Sequence, residues 1–276
     1  MIPMQMTDFL SNSARRCLAV LATGLLVLVA GCSTEKVDKD DKLSTEKLYE
    51  EARDEASNSN WERAAVLYEK LEARTAGTPL AQQAQIDLAY AQYKAGERAK
   101  ALATLERFIK LHPSSPAIDY AYYLQGLTNF NDNLGILGSL ARQDLSERDQ
   151  QASRDAYQSF RQVVTRFPAS KYAPDSQLRM NYIVNALAAY EIHVARYYYR
   201  RGAYVASANR AQQVVKEFET SPPVEEALYI MVRSYDMLGL EVLRDDAQRV
   251  LVQNFPDSRY LKDGFAKPDK PWWQIW

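Results

Sequence analysis

Phe167-Pro168-Ala169-Ser170-Lys171-Tyr172 returns almost letter for letter as Phe255-Pro256-Asp257-Ser258-Arg259-Tyr260, and a looser copy, His112-Pro113-Ser114-Ser115-Pro116, lies earlier. Each copy closes an apolar run of helical period, such as Val163-Val164-Phe167 or Val250-Leu251-Phe255, and precedes a new one. Proline cannot continue a helix and drives the residue before it out of the α region, so these are helix stops. The Ser and Asp beside them are expected to start the next helix as N-caps. The prolines that follow such runs, Pro79, Pro113, Pro168, Pro222 and Pro256, are spaced by 34, 55, 54 and 34 residues.

A spacing of 34 residues is the period of the tetratricopeptide helix-turn-helix unit, and the two middle intervals exceed it by 21 and 20 residues, which read as insertions. The expected fold is all-α, a tetratricopeptide-like helical-hairpin solenoid of about five repeats. Asn60 to Leu71 resembles the second helix of such a unit, with an aromatic in the first turn (Trp61), a small residue three on (Ala64) and another aromatic four beyond (Tyr68). Ala101, Ala156 and Ser207 take the small position in later units, and Phe160 repeats the later aromatic. Gly96, Gly202 and Gly239 fall where the first helix of a unit turns into the second. Arg244 breaks the small-residue rule, as a divergent terminal repeat would. An irregular helical bundle would show the same amphipathic runs but no reason for a recurring 34.

Residues 1–31 read as a signal peptide. Arg15 and Arg16 precede an apolar run from Leu18 to Ala30 that is too short to span a bilayer, followed by small residues. Leu28-Val29-Ala30-Gly31-Cys32 resembles the bacterial lipobox, in which the Cys thiol takes a diacylglycerol and becomes the acylated N-terminus. Several acyl chains suffice for stable anchoring without a spanning helix. Ser33, where Asp would mark retention at the inner membrane, implies outer-membrane delivery. Residues 32–44 form a charged, solvated tether. Cys17 leaves with the signal peptide and Cys32 is consumed by lipid, so no disulfide is expected.

The repeats occupy residues 45–260. Without residues 1–31 the chain keeps 32 basic and 34 acidic residues, a balance that gives no support to nucleic acid as a partner. Tyrosine is frequent at 18 and clustered, as in Tyr120, Tyr122, Tyr123 and Tyr197-Tyr198-Tyr199. Adjacent aromatics on a helix cannot all face one core, so some either enter a groove or pack between repeats with hydroxyls at the rim. Residues 131–151 read as a loop insertion. The stretch 175–201 lacks Gly and Pro and reads as one lengthened helix of about 40 Å. Arg200 and Arg201 at its end either complement the helix dipole or meet a partner. The Trp-rich tail, residues 261–276, holds three of the four Trp and too much proline for a helix; it folds back over the last repeat, docks on a partner, or rests at a lipid headgroup layer.

No catalytic constellation is present in the sequence, and the expected activity is binding without turnover and without a cofactor or metal. His112 belongs to a stop signal, and His193 reads as a mid-helix residue among apolar neighbours. Glu225-Glu226 and Asp245-Asp246 read as helix-surface charges.

A lipobox followed by five such units, with long insertions in the third and fourth, resembles the BamD (ComL) family of outer-membrane assembly lipoproteins. The specific carriers are Asp144-Leu145-Ser146-Glu147-Arg148-Asp149, and Glu191 to Tyr198 running on to Arg201-Gly202-Ala203-Tyr204. The resemblance implies a subunit of the BAM complex, alongside other BAM lipoproteins, that binds BamA through its C-terminal repeats and unfolded outer-membrane β-barrel proteins through its N-terminal repeats. Arg196, Tyr197, Arg201, Gly202 and Tyr204 would face BamA, and Tyr90, Tyr93 and Tyr122 would contact substrate. The alternative is another lipid-anchored scaffold of this repeat class, serving cell-wall or division proteins.

Overall fold

The computed structural model describes residues 39–130 and 150–265, so the expected signal peptide, Cys32, most of the expected tether, most of the expected loop insertion and the tail from residue 266 lie outside the described residues. Residues 1–44 and 45–276 are two separate units. The described part of the first holds a single 3-10 turn, Lys39–Lys42. The second is built of antiparallel helix pairs: α1 (Thr45–Ser57) with α2 (Trp61–Arg74), α3 (Pro79–Lys94) with α4 (Arg98–Leu111), α5 (Ile118–Asn129) with α6 (Gln150–Arg166), α7 (Ala173–Arg200) with α8 (Tyr204–Glu217), and α9 (Val224–Met237) with α10 (Glu241–Asn254). A short α11 (Arg259–Asp263) follows. From α1 to α10 each helix packs on the next in the chain, α11 returns to α9, and among the first helices α3 also touches α5 and α7 touches α9, so five hairpins stack side by side.

The stack is held by a repeated small-to-large pattern on the second helices. Ala64, Ala101, Ala156 and Ser207 are fully buried, as are Leu71, Phe108, Val163, Val214 and Leu251, which stand seven residues after each small position and after Arg244. Seven residues are two helical turns, so the pairs share one face. Arg244 in α10 stays partly exposed between Asp236 and Asp245, in keeping with a last repeat whose outer side meets no further hairpin. Within the third hairpin Gly126 makes room for Phe160, since a Cβ there would lie 2.5 Å from the Phe160 ring.

The turns correct the period. Five inter-repeat turns share one hydrogen bond, from the backbone N–H of Thr78, Ser115, Ser170, Ser221 and Ser258 to the carbonyl three residues earlier, at 2.9–3.0 Å. These equivalent positions are spaced by 37, 55, 51 and 37 residues, not 34, 55, 54 and 34. Pro79 and Pro222 follow the turn residue, whereas Pro113, Pro168 and Pro256 precede it by two, and mixing the two positions shortened the apparent repeat by three. The turns inside the hairpins agree with 37: Gly96, Gly202 and Gly239 have positive φ, and Ser59, at φ 63°, takes the same left-handed place 37 residues before Gly96.

The N-cap expectation holds at two turns only. Thr78 accepts from the Ala81 N–H and Ser258 from the Tyr260 N–H. At α5, α7 and α9 the cap positions are Ala117, Tyr172 and Pro223, with no side-chain cap bond, and the serine stands two residues earlier, closing the turn instead. The long helix of the fourth unit is α7, 28 residues or about 42 Å, twice the length of its partner α8.

Candidate functional site

In the first three hairpins the candidate tyrosines sit on α1, α3 and α5, with Trp61 of α2 and Tyr172 and Asp175 at the start of α7 packed against them. Tyr90, 36 % exposed, meets Trp61 edge to face at 5.7 Å and Tyr93 at 6.4 Å, while the Lys94 ammonium lies 5.4 Å over Trp61. Tyr49 donates its hydroxyl to Asp87 at 3.3 Å, and Gln83 donates to the other oxygen at 3.0 Å. Burial pushes the Asp87 carboxyl above its ordinary range despite these bonds. Tyr120 and Tyr123 both rest on Tyr172, at 5.2 and 4.7 Å. Tyr123 donates to Asp175 at 2.8 Å; burial and that bond push its hydroxyl up to about 12. Burial, reinforced by Tyr90 and Tyr172, also raises Tyr120.

Tyr90 and Tyr93 therefore stand together, but Tyr122 belongs to a different contact: it accepts from Arg166 at 2.9 Å, under the guanidinium and beside Phe167. The sequence reading missed Tyr49, Trp61, Asp87, Tyr120 and Asp175 as members of the tyrosine face. The three-residue spacing of Tyr90–Tyr93 and of Tyr120–Tyr123 was the available signal, since it keeps side chains on one helical face.

In the last two hairpins the chemistry is ionic. Arg196 on α7 forms a two-pronged ion pair with Glu226 on α9, and Tyr260 on α11 donates to the same carboxylate at 2.7 Å. Arg259 donates to the Tyr260 oxygen at 2.8 Å. Glu226 is 6 % exposed, so it is a buried anion satisfied by two elements and not a helix-surface charge. Hydrogen bonding to Glu226, against the cost of burial, binds the Arg196 proton more firmly than usual. His193, by contrast, is exposed on α7 and lines a shallow groove with Glu225 and Arg259; the helix turns it outward, away from the buried Ile192 and Ala195.

The five residues expected at a partner surface divide into two groups. Tyr197, 46 % exposed, carries the Arg201 guanidinium 5.4 Å over its ring, and both stand with Gly202 at the outer turn between α7 and α8. Arg196 and Tyr204 instead line a groove of about 500 Å³ with Tyr199, Arg200, Glu226, Tyr260 and Phe265. Tyr199 contacts Tyr204 at 5.3 Å and Phe265 at 5.0 Å. Among the described residues no cluster of three or more His, Cys, Asp or Glu could hold a metal ion, and no helix is long and apolar enough to cross a membrane.

A stacked-hairpin chain with this arrangement has clear relatives. Residues 41–250 match a family model described as YfiO, outer membrane lipoprotein. The chain belongs to the YfiO family of outer membrane lipoproteins. It is 47 % identical over 262 residues to an outer membrane protein assembly factor BamD of Neisseria meningitidis, covering 93 % of this chain and 98 % of that protein. A protein of the same name from Xylella fastidiosa is 38 % identical across 88 % of this chain and 83 % of its own, and one from Vibrio cholerae 34 % across 79 % and 91 %. The YfiO match takes in the tyrosine face, Arg196, Glu226 and the Arg201 turn, but ends before Arg259, Tyr260 and Phe265, which complete the groove.

Proposed function

We propose that this chain is the lipid-anchored periplasmic subunit of an outer-membrane protein assembly complex, acylated at Cys32 and tethered to the outer membrane by the residues that follow. It binds BamA and the neighbouring lipoproteins through its last two hairpins and unfolded β-barrel precursors through its first three, and it turns nothing over. The observation that carries this reading is the near full-length similarity to proteins named outer membrane protein assembly factor BamD. The geometry supports the division of labour. Tyr197, Arg201 and Gly202 offer a small exposed turn with one free face of a cation on an aromatic, suited to a carboxylate on a folded partner. Arg196 of α7 and Tyr204 of α8 line the groove and are assigned to the same partner-facing side. Tyr90 and Tyr93, with Trp61, offer ring faces and hydroxyl tips to an extended aromatic peptide, and Tyr122 offers a ring already polarised by Arg166.

Co-purification from membranes tests it. BamA should accompany the wild-type chain and fall at least tenfold with Arg201→Glu. Equal recovery with both would remove the turn from the interface, and its absence from the wild type would overturn the subunit reading. Cys32→Ala should abolish labelling by radioactive palmitate and release the chain from the membrane fraction; retained labelling would refute the anchor.

A further inference from the structure

The groove beside Arg196 is open at its side chains yet entered by the chain itself. After α11 the backbone reverses at Gly264, with φ 73° and ψ −151°, a region that is essentially closed to residues with a Cβ. A Cβ there would also stand 3.3 Å from the Tyr229 hydroxyl oxygen. The reversal places Phe265 between Tyr199 of α7, 5.0 Å away, and Tyr229 of α9, 4.9 Å away, at the wall of the groove. The chain is thus steered into the cleft by a turn that only glycine readily makes.

We propose that the groove is the docking site of this chain's own tail, and that Trp272, Trp273 or Trp276 fill it. The walls suit indole: Tyr199, Tyr204, Tyr260 and Phe265 supply aromatic edges and faces, and the guanidinium groups of Arg196 and Arg200 supply cations for a π face. At about 500 Å³ the groove has the size of a small-molecule cleft, ample for a large aromatic side chain. Trp272 lies seven residues beyond Phe265, so an extended link of up to about 25 Å is available from the groove wall itself. Pro268 and Pro271 favour such an extended path. Docked there, the tail would join α7, α9 and α11 and complete the first-helix side of the last two hairpins. This inference does not depend on the assembly reading, since it concerns contacts within one chain.

The test uses the mature acylated chain in lipid nanodiscs carrying Trp61→Phe, so that only the tail tryptophans fluoresce. Acrylamide quenching should be several-fold weaker than for a synthetic peptide of residues 264–276, with emission shifted to the blue. Gly264→Ala, which changes no groove-wall side chain but redirects the backbone that carries Phe265 and the tail, and Tyr204→Ala should each restore peptide-like quenching while circular dichroism shows the helices intact. Three outcomes would overturn the proposal: peptide-like quenching in the parent, protection that survives both substitutions, and quenching of the tail by brominated lipid, which would place it in the bilayer.

Discussion

In the first three hairpins the face made by α1, α3 and α5 is tied by hydrogen bonds from tyrosine hydroxyls to carboxylates, Tyr49 to Asp87 within the face and Tyr123 to Asp175 at the start of α7. The last two hairpins are tied by a carboxylate withdrawn from water, Glu226, which accepts from Arg196 and Tyr260, and by a buried hydroxyl contact of Ser234 with Ser207. The contrast is between a surface whose helices are tied by neutral hydroxyls donating to carboxylates and one held by a buried ion pair. The peptide-receiving role proposed for the first face would gain from its arrangement, because Tyr90 and Tyr93 keep ring surface available. The presentation of a fixed turn proposed for the last two hairpins would gain from the second arrangement.

The sharpest way to break this comparison is Arg196→Ala. It leaves the Glu226 carboxylate buried with Tyr260 as its remaining hydrogen-bond partner, a change of the kind that costs about 3 kcal/mol, toward the lower end for broken buried pairs because the Arg196 side chain is itself 44 % exposed. Thermal unfolding followed by circular dichroism should fall by roughly 6–12 °C for a chain of this size. Glu226→Ala should cost less, since the freed guanidinium can reach water, and Arg196→Met combined with Glu226→Leu should lie closer to the parent than Arg196→Ala does.

Second in size is Gly126→Ala, at the junction of the two regions. The Phe160 ring is fully buried and has little room to yield, so overpacking should cost about 1–3 kcal/mol, offset in part by the better helix propensity of Ala. A gain in melting temperature would show that the third hairpin is looser than its contacts imply.

Tyr123→Phe should cost only about 1 kcal/mol, the usual net worth of one hydrogen bond. Its pH dependence is more telling. Burial raises the Asp175 carboxyl, but the bonds from Arg179 and Tyr123 outweigh it and hold the group below its ordinary value. Stability from Asp175 is therefore complete above the unfolded carboxyl value of about 3.9 and is lost as pH falls through the lower folded one. The two melting curves should converge in acid and separate above about pH 5. Curves that stay parallel would mean that the carboxylate takes its support from Arg179 alone. The smallest effect belongs to Ser59→Gly, which should raise stability by well under 1 kcal/mol by relieving a left-handed serine, against the entropy that glycine adds to the unfolded chain.

Hairpins could be read from the sequence because their punctuation is local. Gly96, Gly202 and Gly239 mark bends that need a positive φ, and Ala64, Ala101, Ala156 and Ser207 mark the places where helices come closest. The period was misread by three because Pro79 and Pro113 fill different corners of the same turn, a distinction that only the shared backbone hydrogen bond reveals. Glu226 was taken for a surface charge because an acid in the first turn of a helix ordinarily faces water and complements the helix dipole. Its partners lie 30 residues before it and 34 after it, and nothing in either local pattern announces them. His193 is mid-helix as its sequence context implies, and the 100° step per residue carries it outward from its apolar chain neighbours.

The common 37-residue register has a consequence for engineering. Excising residues 61–97 would join Asn60 to Arg98, so that Ser59 takes over the bend now made by Gly96 and α1 meets α4 in place of α2. Like would be spliced to like, and the shortened protein should still melt cooperatively. Excising residues 61–94 instead strands Ala95, Gly96 and Glu97 in the splice, and that version should expose hydrophobic surface and aggregate.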